Sequence, residues 1–193
     1  MKKNYLSRRE SIIISAIEII DELGLQDLSI RELADRQGVT EPAIYRHFKN
    51  KQDIIIAILD YYSHFDDMII KTVTDMKMGA KEGILFFNRA FAEYYENYPA
   101  LTAIKFASHS LTYDYVLYEK IKQIDEARKD FLLKLIVEGQ EKGEINDAFT
   151  KEELTDIIMG LRRQLILNWR MSNYGFSLKE RLLKTLDSIM RVC

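Results

Sequence analysis

The sequence predicts an all-α protein, and three observations carry that expectation. Only two prolines and eight glycines occur in 193 residues, which leaves few strand-and-turn junctions. Apolar residues recur at three- and four-residue steps, as in Ile13, Ala16, Ile17, Ile20 and Leu23. No segment alternates apolar and polar residues with period two for long enough to make a strand. About nine helices are expected: a small three-helix head over residues 1–50 and a larger helical body over 51–193.

The first helix runs from near Ser7, in a Ser-x-x-Glu box with Glu10, to Leu23, with Gly24 as its stop. The second opens on Ser29-x-x-Glu32, flanked by Leu28 and Leu33 as a hydrophobic staple, and ends at Gly38, which suits a left-handed residue. Val39 and Thr40 restart the chain at once. Thr40 is a good N-cap, Pro42 lies in the first turn where its missing N–H costs nothing, and Val39 and Ile44 form a second staple. Two short helices joined by a tight turn are the sequence form of a helix-turn-helix.

In the second of that pair, Ile44 and Phe48 are four apart and face the core. At about 100° per residue the opposite side carries Pro42, Tyr45, Arg46 and Lys49. Ala43 flanks that side and permits close approach to another surface. Arg46 can read guanine or bind phosphate, while Tyr45, His47 and Lys51 can donate to phosphate oxygens. This face is expected to read double-stranded DNA.

These residues resemble the tetracycline-repressor (TetR/AcrR) family of bacterial transcription regulators. The likeness runs from Ile14 to about Leu59. It rests on Ser29-x-Arg31-x-Leu33-Ala34, Gly38-Val39-x-x-Pro42-x-Ile44-Tyr45-x-His47-Phe48 and Lys49-Asn50-Lys51. Beyond it, the chain matches the family only in length and helical layout. The resemblance implies DNA-facing positions at Thr40, Glu41, Pro42, Ala43, Tyr45, Arg46, His47 and Lys51, with Ser29 and Arg31 near the backbone. Glu41 tends to repel phosphate; it either accepts from a cytosine amino group or serves the helix dipole.

Charge does not announce a nucleic-acid partner. The net charge is −2, and residues 1–51 hold nine Lys/Arg against eight Asp/Glu, so distribution must do what the total cannot. Lys2, Lys3, Arg8 and Arg9 cluster at the start of the first helix, either as a solvated tail or as a supporting phosphate contact. Apolar residues at 47% and charged residues at 30% place the chain among ordinary globular proteins. The single cysteine, Cys193, excludes an internal disulfide, and with no apolar leader or long apolar run the expectation is cytoplasmic. No metal-like spacing of histidines, phosphate loop or nucleophile motif occurs, so neither enzyme activity nor a cofactor is expected.

From Gln52 to about Met76 one longer helix joins head and body, and a signal could pass through it. Five further helices are expected at 81–97, 99–108, 114–141, 151–171 and 178–191, with Thr150-x-x-Glu153 and Ser177-x-x-Glu180 as start signals. Thirteen of the 21 aromatic residues fall in 61–118, including the stripe Phe87, Phe91, Tyr94 and Tyr98 and the following Phe106, Tyr113, Tyr115 and Tyr118. They read either as a packed aromatic core or as a pocket for a small hydrophobic or aromatic ligand. The pocket reading is lined by Phe87, Phe91, Tyr94, Phe106, His109 and Trp169. The last two helices carry Leu154, Ile157, Ile158, Leu161, Leu165 and Ile166, then Leu182, Leu183, Leu186 and Ile189. That exceeds one inward stripe and suggests a homodimer through these helices, with Gly160 permitting close approach. The favoured reading is a ligand-responsive repressor that grips two operator half-sites. The competing one is a helical small-molecule-binding or scaffolding protein without specific DNA binding.

Overall fold

The computed structural model describes residues 6–192, apart from the side chains of His109 and Val192. Lys2, Lys3 and Cys193 lie outside the described residues. The helices are α1 (Arg8–Leu23), α2 (Ile30–Gln37), α3 (Glu41–Tyr45), α4 (Lys51–Asp75), α5 (Ala80–Asn97), α6 (Leu101–Leu111), α7 (Tyr115–Glu141), α8 (Lys151–Met171) and α9 (Leu178–Val192). No strand occurs among the described residues, and none of their helices is long and apolar enough to cross a membrane.

Most boundaries follow the side chains that predicted them. At α1 the box is reciprocal: Ser7 Oγ accepts from Glu10 N at 3.2 Å, and Ser7 N donates to Glu10 Oε2 at 2.7 Å. Thr150 and Glu153 do the same for α8. At α2 only half the box is made, because Ser29 Oγ accepts from Glu32 N while the Glu32 carboxylate lies 3.9 Å from Arg36 one turn on. Helix α6 begins two residues later than expected, since Pro99 O accepts from Thr102 N and Thr102 Oγ1 and so belongs to the turn before it. An unexpected 3-10 turn, Leu25–Asp27, joins α1 to α2.

Packing divides the chain into two compact units. One unit comprises the residues up to 64 together with 99–122; the other comprises 65–98 and the residues from 123 onward. Within the first, α6 packs on α1, so α1 is covered on more than its helix-turn-helix side and buries Ile12, Ile13, Ala16, Ile17, Ile19 and Ile20. The physical reason is size, because a three-helix head of about 50 residues buries too little surface to stand alone.

In the second unit α5 packs on α9, and Glu96 ties them together. Its Oε1 accepts from Ser177 Oγ at 3.0 Å and Lys179 N at 3.1 Å, capping α9 from another helix. At Gly139 a Cβ would stand 2.8 Å from both Ala80 Cβ and an Ile145 side-chain carbon, so glycine is needed where α7 meets the start of α5. The terminal helices require a correction. Leu154, Ile158, Leu165, Ile166, Leu182 and Leu186 are buried in their own chain, because they form the inward stripe itself. Only Ile157, Leu161, Leu183 and Ile189 remain half-exposed.

Candidate nucleic-acid interface

Helix α3 has five residues, far below the length at which a helix supports itself, so its position is set by anchors. Gly38 adopts the left-handed region at φ 62°, which lets Val39 N donate to Ala34 O at 3.0 Å and turns the chain sharply. Ile44 is buried. The helix ends at Tyr45, earlier than the expected run through Phe48, yet Arg46 keeps helical dihedrals and Phe48 N still donates to Ile44 O at 3.1 Å. Phe48 is therefore buried, and the Arg9 guanidinium lies 5.0 Å above its ring. Thr40 is extended as an N-cap should be, but its side chain makes no capping bond.

With Ile44 and Phe48 turned inward, Thr40, Glu41, Pro42, Tyr45, Arg46 and His47 are exposed in one short run, and Ala43 is half-exposed among them. Ser29 and Arg31 are exposed at the start of α2, where Arg31 makes only a loose 3.9 Å pair with Asp35. Tyr45 keeps half its surface in solvent, at 51%.

Lys51 sits differently from a free phosphate contact. Its Nζ donates to Leu25 O at 2.8 Å and Gln26 O at 3.3 Å, clamping the 3-10 turn to the start of α4. Burial lowers its pKa, against the pull of Asp27. Arg36 is likewise engaged, 2.7 Å from Glu22. Gln37 joins α1 and α2: its Oε1 accepts from Arg8 Nη1 and Ser11 Oγ, and its Nε2 donates to Ser15 Oγ at 2.7 Å. The start of α4 is also built for the turn, with Asn50 Oδ1 accepting from Asp53 N while Asp53 accepts from Lys49 N. Sequence reading passed over this Asn-x-x-Asp signal, although its spacing matches a capping box. The Gln37, Arg9 and Lys51 contacts link residues 22 or more apart in the chain and carry no local signature.

These contacts give the head an acid-sensitive margin. Ser7, through its N–H and hydroxyl, holds the Glu10 carboxyl below its ordinary 4.5, and the Arg36 guanidinium does the same for Glu22. A depressed folded-state pKa contributes stability that is complete above the unfolded value and lost as pH falls through the folded one. Thermal unfolding should therefore move to lower temperature as pH drops below about 4.5. The double variant Glu10→Gln, Glu22→Gln should show a flatter acid limb; a limb identical to wild type would refute this assignment.

Residues 12–58, from α1 to the first turns of α4, match the family described as "Bacterial regulatory proteins, tetR family". Over that segment the chain is similar to the TetR family. Over 53 residues it is 42% identical to the class C tetracycline repressor protein of Escherichia coli, a match covering 28% of this chain and 24% of that repressor. Over 170 residues it is 24% identical to the fatty acid metabolism regulator protein of Bacillus subtilis (strain 168), covering 86% of each. The structure of the fatty acid degradation regulator FadR from Bacillus halodurans superposes with a TM-score of 0.81 at 22% identity, over 97% of this chain and 96% of that one. A second structure, of FadR from Bacillus subtilis in complex with stearoyl-CoA, gives 0.76 at 24% identity over 92% and 96%. The TetR likeness is thus strongest in the head, and whole-chain similarity is one of fold.

The aromatic residues beyond the head divide between the two units. In the second unit, Phe87 and Phe91 are buried with ring centroids 5.0 Å apart, Tyr94 stacks on Phe65 at 4.0 Å, and Trp169 is buried edge-on to Tyr174 at 4.7 Å. Phe106, half-buried, and His109 lie on α6 in the first unit; the His109 side chain is outside the described residues. Tyr113, Tyr115 and Tyr118 are exposed and line no interior. Two charged residues the sequence reading passed over are fully buried beside the rings, Arg128 and Arg162. An open groove of about 490 Å³ is lined in part by Phe131, whose ring lies 5.1 Å from that of Phe87.

Proposed function

We propose that this protein is a cytoplasmic DNA-binding transcription regulator, acting as a homodimeric repressor that a small, largely apolar molecule releases from its operator. The observation that carries the proposal is the exposed run from Thr40 to His47, held outward by the buried Ile44 and Phe48. A short helix with a bare, donor-rich face and a small Ala43 is suited to a major groove. Ser29 and Arg31 at the start of α2 are placed to meet backbone phosphate, and Lys51 contributes by fixing the turn. We take the division of labour to be a DNA-binding segment over 1–50 and a ligand-binding and dimerising segment over 51–193. The similarity to fatty acid regulators favours an acyl chain as the apolar part of the ligand. Phe87, Phe91, Tyr94 and Trp169 are the proposed lining in the second unit, with Phe106 and His109 as further candidates on α6.

The test is a salt-dependent gel shift on DNA upstream of the gene, where phosphate neutralisation makes affinity fall as salt rises. Arg46→Ala should weaken binding by about 1–3 kcal/mol and relax sequence preference. Lys51→Ala should instead lower the head's thermal stability. Wild-type affinity for Arg46→Ala on DNA that the parent binds would remove α3 from the interface.

For the dimer, the relevant side chains are those the chain leaves half-exposed or exposed. Ile157, Leu161, Gln164, Asn168 and Met171 follow one face of α8, and a Cβ at Gly160 would meet nothing within 4 Å. Leu161→Glu should yield folded monomers with greatly reduced operator affinity, read by sedimentation and gel shift. A charge at Leu165 or Leu186 would damage the fold itself, because both are buried in the chain. Wild-type protein that sediments as a monomer at micromolar concentration would defeat the dimer.

A further inference from the structure

The groove of about 490 Å³ lies between the end of α4 and the second half of α7, within the second unit. Its floor is apolar and held from behind. Val73 and Leu135 are buried there, and both lie against α5 at Gly83, where a Cβ would stand 3.0 Å from Val73 Cγ1 and 3.2 Å from Leu135 Cδ1. The missing side chain lets α5 come close behind that floor. The rim is charged. Along α7, Asp130, Lys134, Glu138 and Lys142 line the groove at four-residue steps, two acids alternating with two lysines. Lys77, just past the end of α4, adds a third lysine, and none of these five makes an ion pair among the described residues. The acid nearest Lys77 in sequence, Asp75, is taken up by Lys71 at 2.6 Å. Three lysines against two acids leave the rim one positive charge in surplus. Lys77 also has the backbone of a glycine. At φ 51° it lies in the left-handed region, and the turn it makes brings Met78 N to Val73 O at 3.2 Å as α4 ends. Glycine takes such a position without steric cost, whereas a lysine is strained there. Strain of this kind gathers where a side chain has work to do in a site.

We propose that this groove binds an amphiphilic monoanion, with its apolar body on Val73, Phe131 and Leu135 and its charged group at Lys77. The site goes beyond the ligand reading above, because Phe87, Phe91, Tyr94 and Trp169 do not line it. Its volume falls within the roughly 300–1,000 Å³ of small-molecule sites. The charges narrow the occupant. A plain hydrocarbon leaves the Lys77 ammonium without a partner, and an organic cation meets a surplus of its own sign. A polyanion brings its further charges up against Asp130 and Glu138 on the same rim. A single negative charge on an aliphatic or aromatic body suits both floor and rim. Because Lys77 is exposed, the ion pair supplies preference, and burial of apolar surface supplies most of the affinity.

The test is calorimetric titration of the full chain, without DNA, using decanoate, decanol and decyltrimethylammonium as probes below their micellar concentrations. Decanoate should bind wild type about threefold or more tighter than decanol, the scale of an exposed ion pair, and the cation should bind weakest. Lys77→Gly and Lys77→Asn place residues that tolerate the left-handed backbone and carry no charge. Both should bind decanol as wild type does, lose the preference for decanoate, and melt at the same or a higher temperature. Thr74 is exposed, lines the groove and lies three residues before Lys77. Thr74→Trp should therefore fill the groove and weaken decanoate and decanol alike by about tenfold, through lost apolar burial. Equal binding of decanoate and decanol by wild type, or binding of neither, overturns the site, and that comparison needs no variant. A preference for decanoate that survives in folded Lys77→Gly and Lys77→Asn overturns the role of Lys77. Wild-type affinity in Thr74→Trp would place the probe elsewhere, as in the ring-lined interior, and also overturn the proposal.

Discussion

Phe48→Ala should unfold the head before it perturbs any DNA contact. Phe48 is buried, closes the end of α3 through its bond to Ile44 O, and carries the Arg9 guanidinium on its ring. Removing a buried phenyl ring costs about 3–5 kcal/mol, a large part of the roughly 5–15 kcal/mol that holds a domain together. The loss should be steep because α3 is too short to hold its shape alone. Urea denaturation should show a lower midpoint, and operator affinity should fall with the folded fraction. Phe48→Leu, which keeps most of the apolar volume, should recover much of the loss. A cost under about 1 kcal/mol for Phe48→Ala would mean that the reading face is held by something other than this anchor.

Arg128→Ala should be comparably severe for a different reason. It leaves Asp66 as a buried carboxylate whose only hydrogen bond is gone, and breaking a buried pair from one side costs about 3–5 kcal/mol. Replacing both partners with apolar groups, as in Asp66→Leu with Arg128→Met, should recover much of that cost, because neither charge is then stranded. The measurable signature is strong coupling in a double-mutant cycle by denaturant titration. Additive effects of the two substitutions would show that the pair does not act as a unit.

The head was legible because its signals are local. Ser7 with Glu10, Gly24, Ser29, Gly38 and Pro42 each act within four residues of their own position, so spacing alone predicts where helices start and stop. The exposed face of α3 was equally accessible, since burying Ile44 and Phe48 leaves only one side for Tyr45 and Arg46. Lys51 shows the limit of that reasoning. Its place beside the reading helix suggested a phosphate contact, but the carbonyls of Leu25 and Gln26, 25 residues and more away, take up its ammonium.

Sequence by itself determined the helical class, the helix boundaries to within a few residues and the outward face of α3, because capping, periodicity and backbone preference act over single turns. Tertiary structure alone decided three other things: which apolar residues of α8 and α9 are spent inside the chain, that α6 packs with α1, and that Asp66, Arg128 and Arg162 share one buried place. Period gives the face of a helix but not the element it meets. Buried charge in particular leaves no trace in a pattern, since an arginine at a helical position reads as solvent-facing until the fold encloses it.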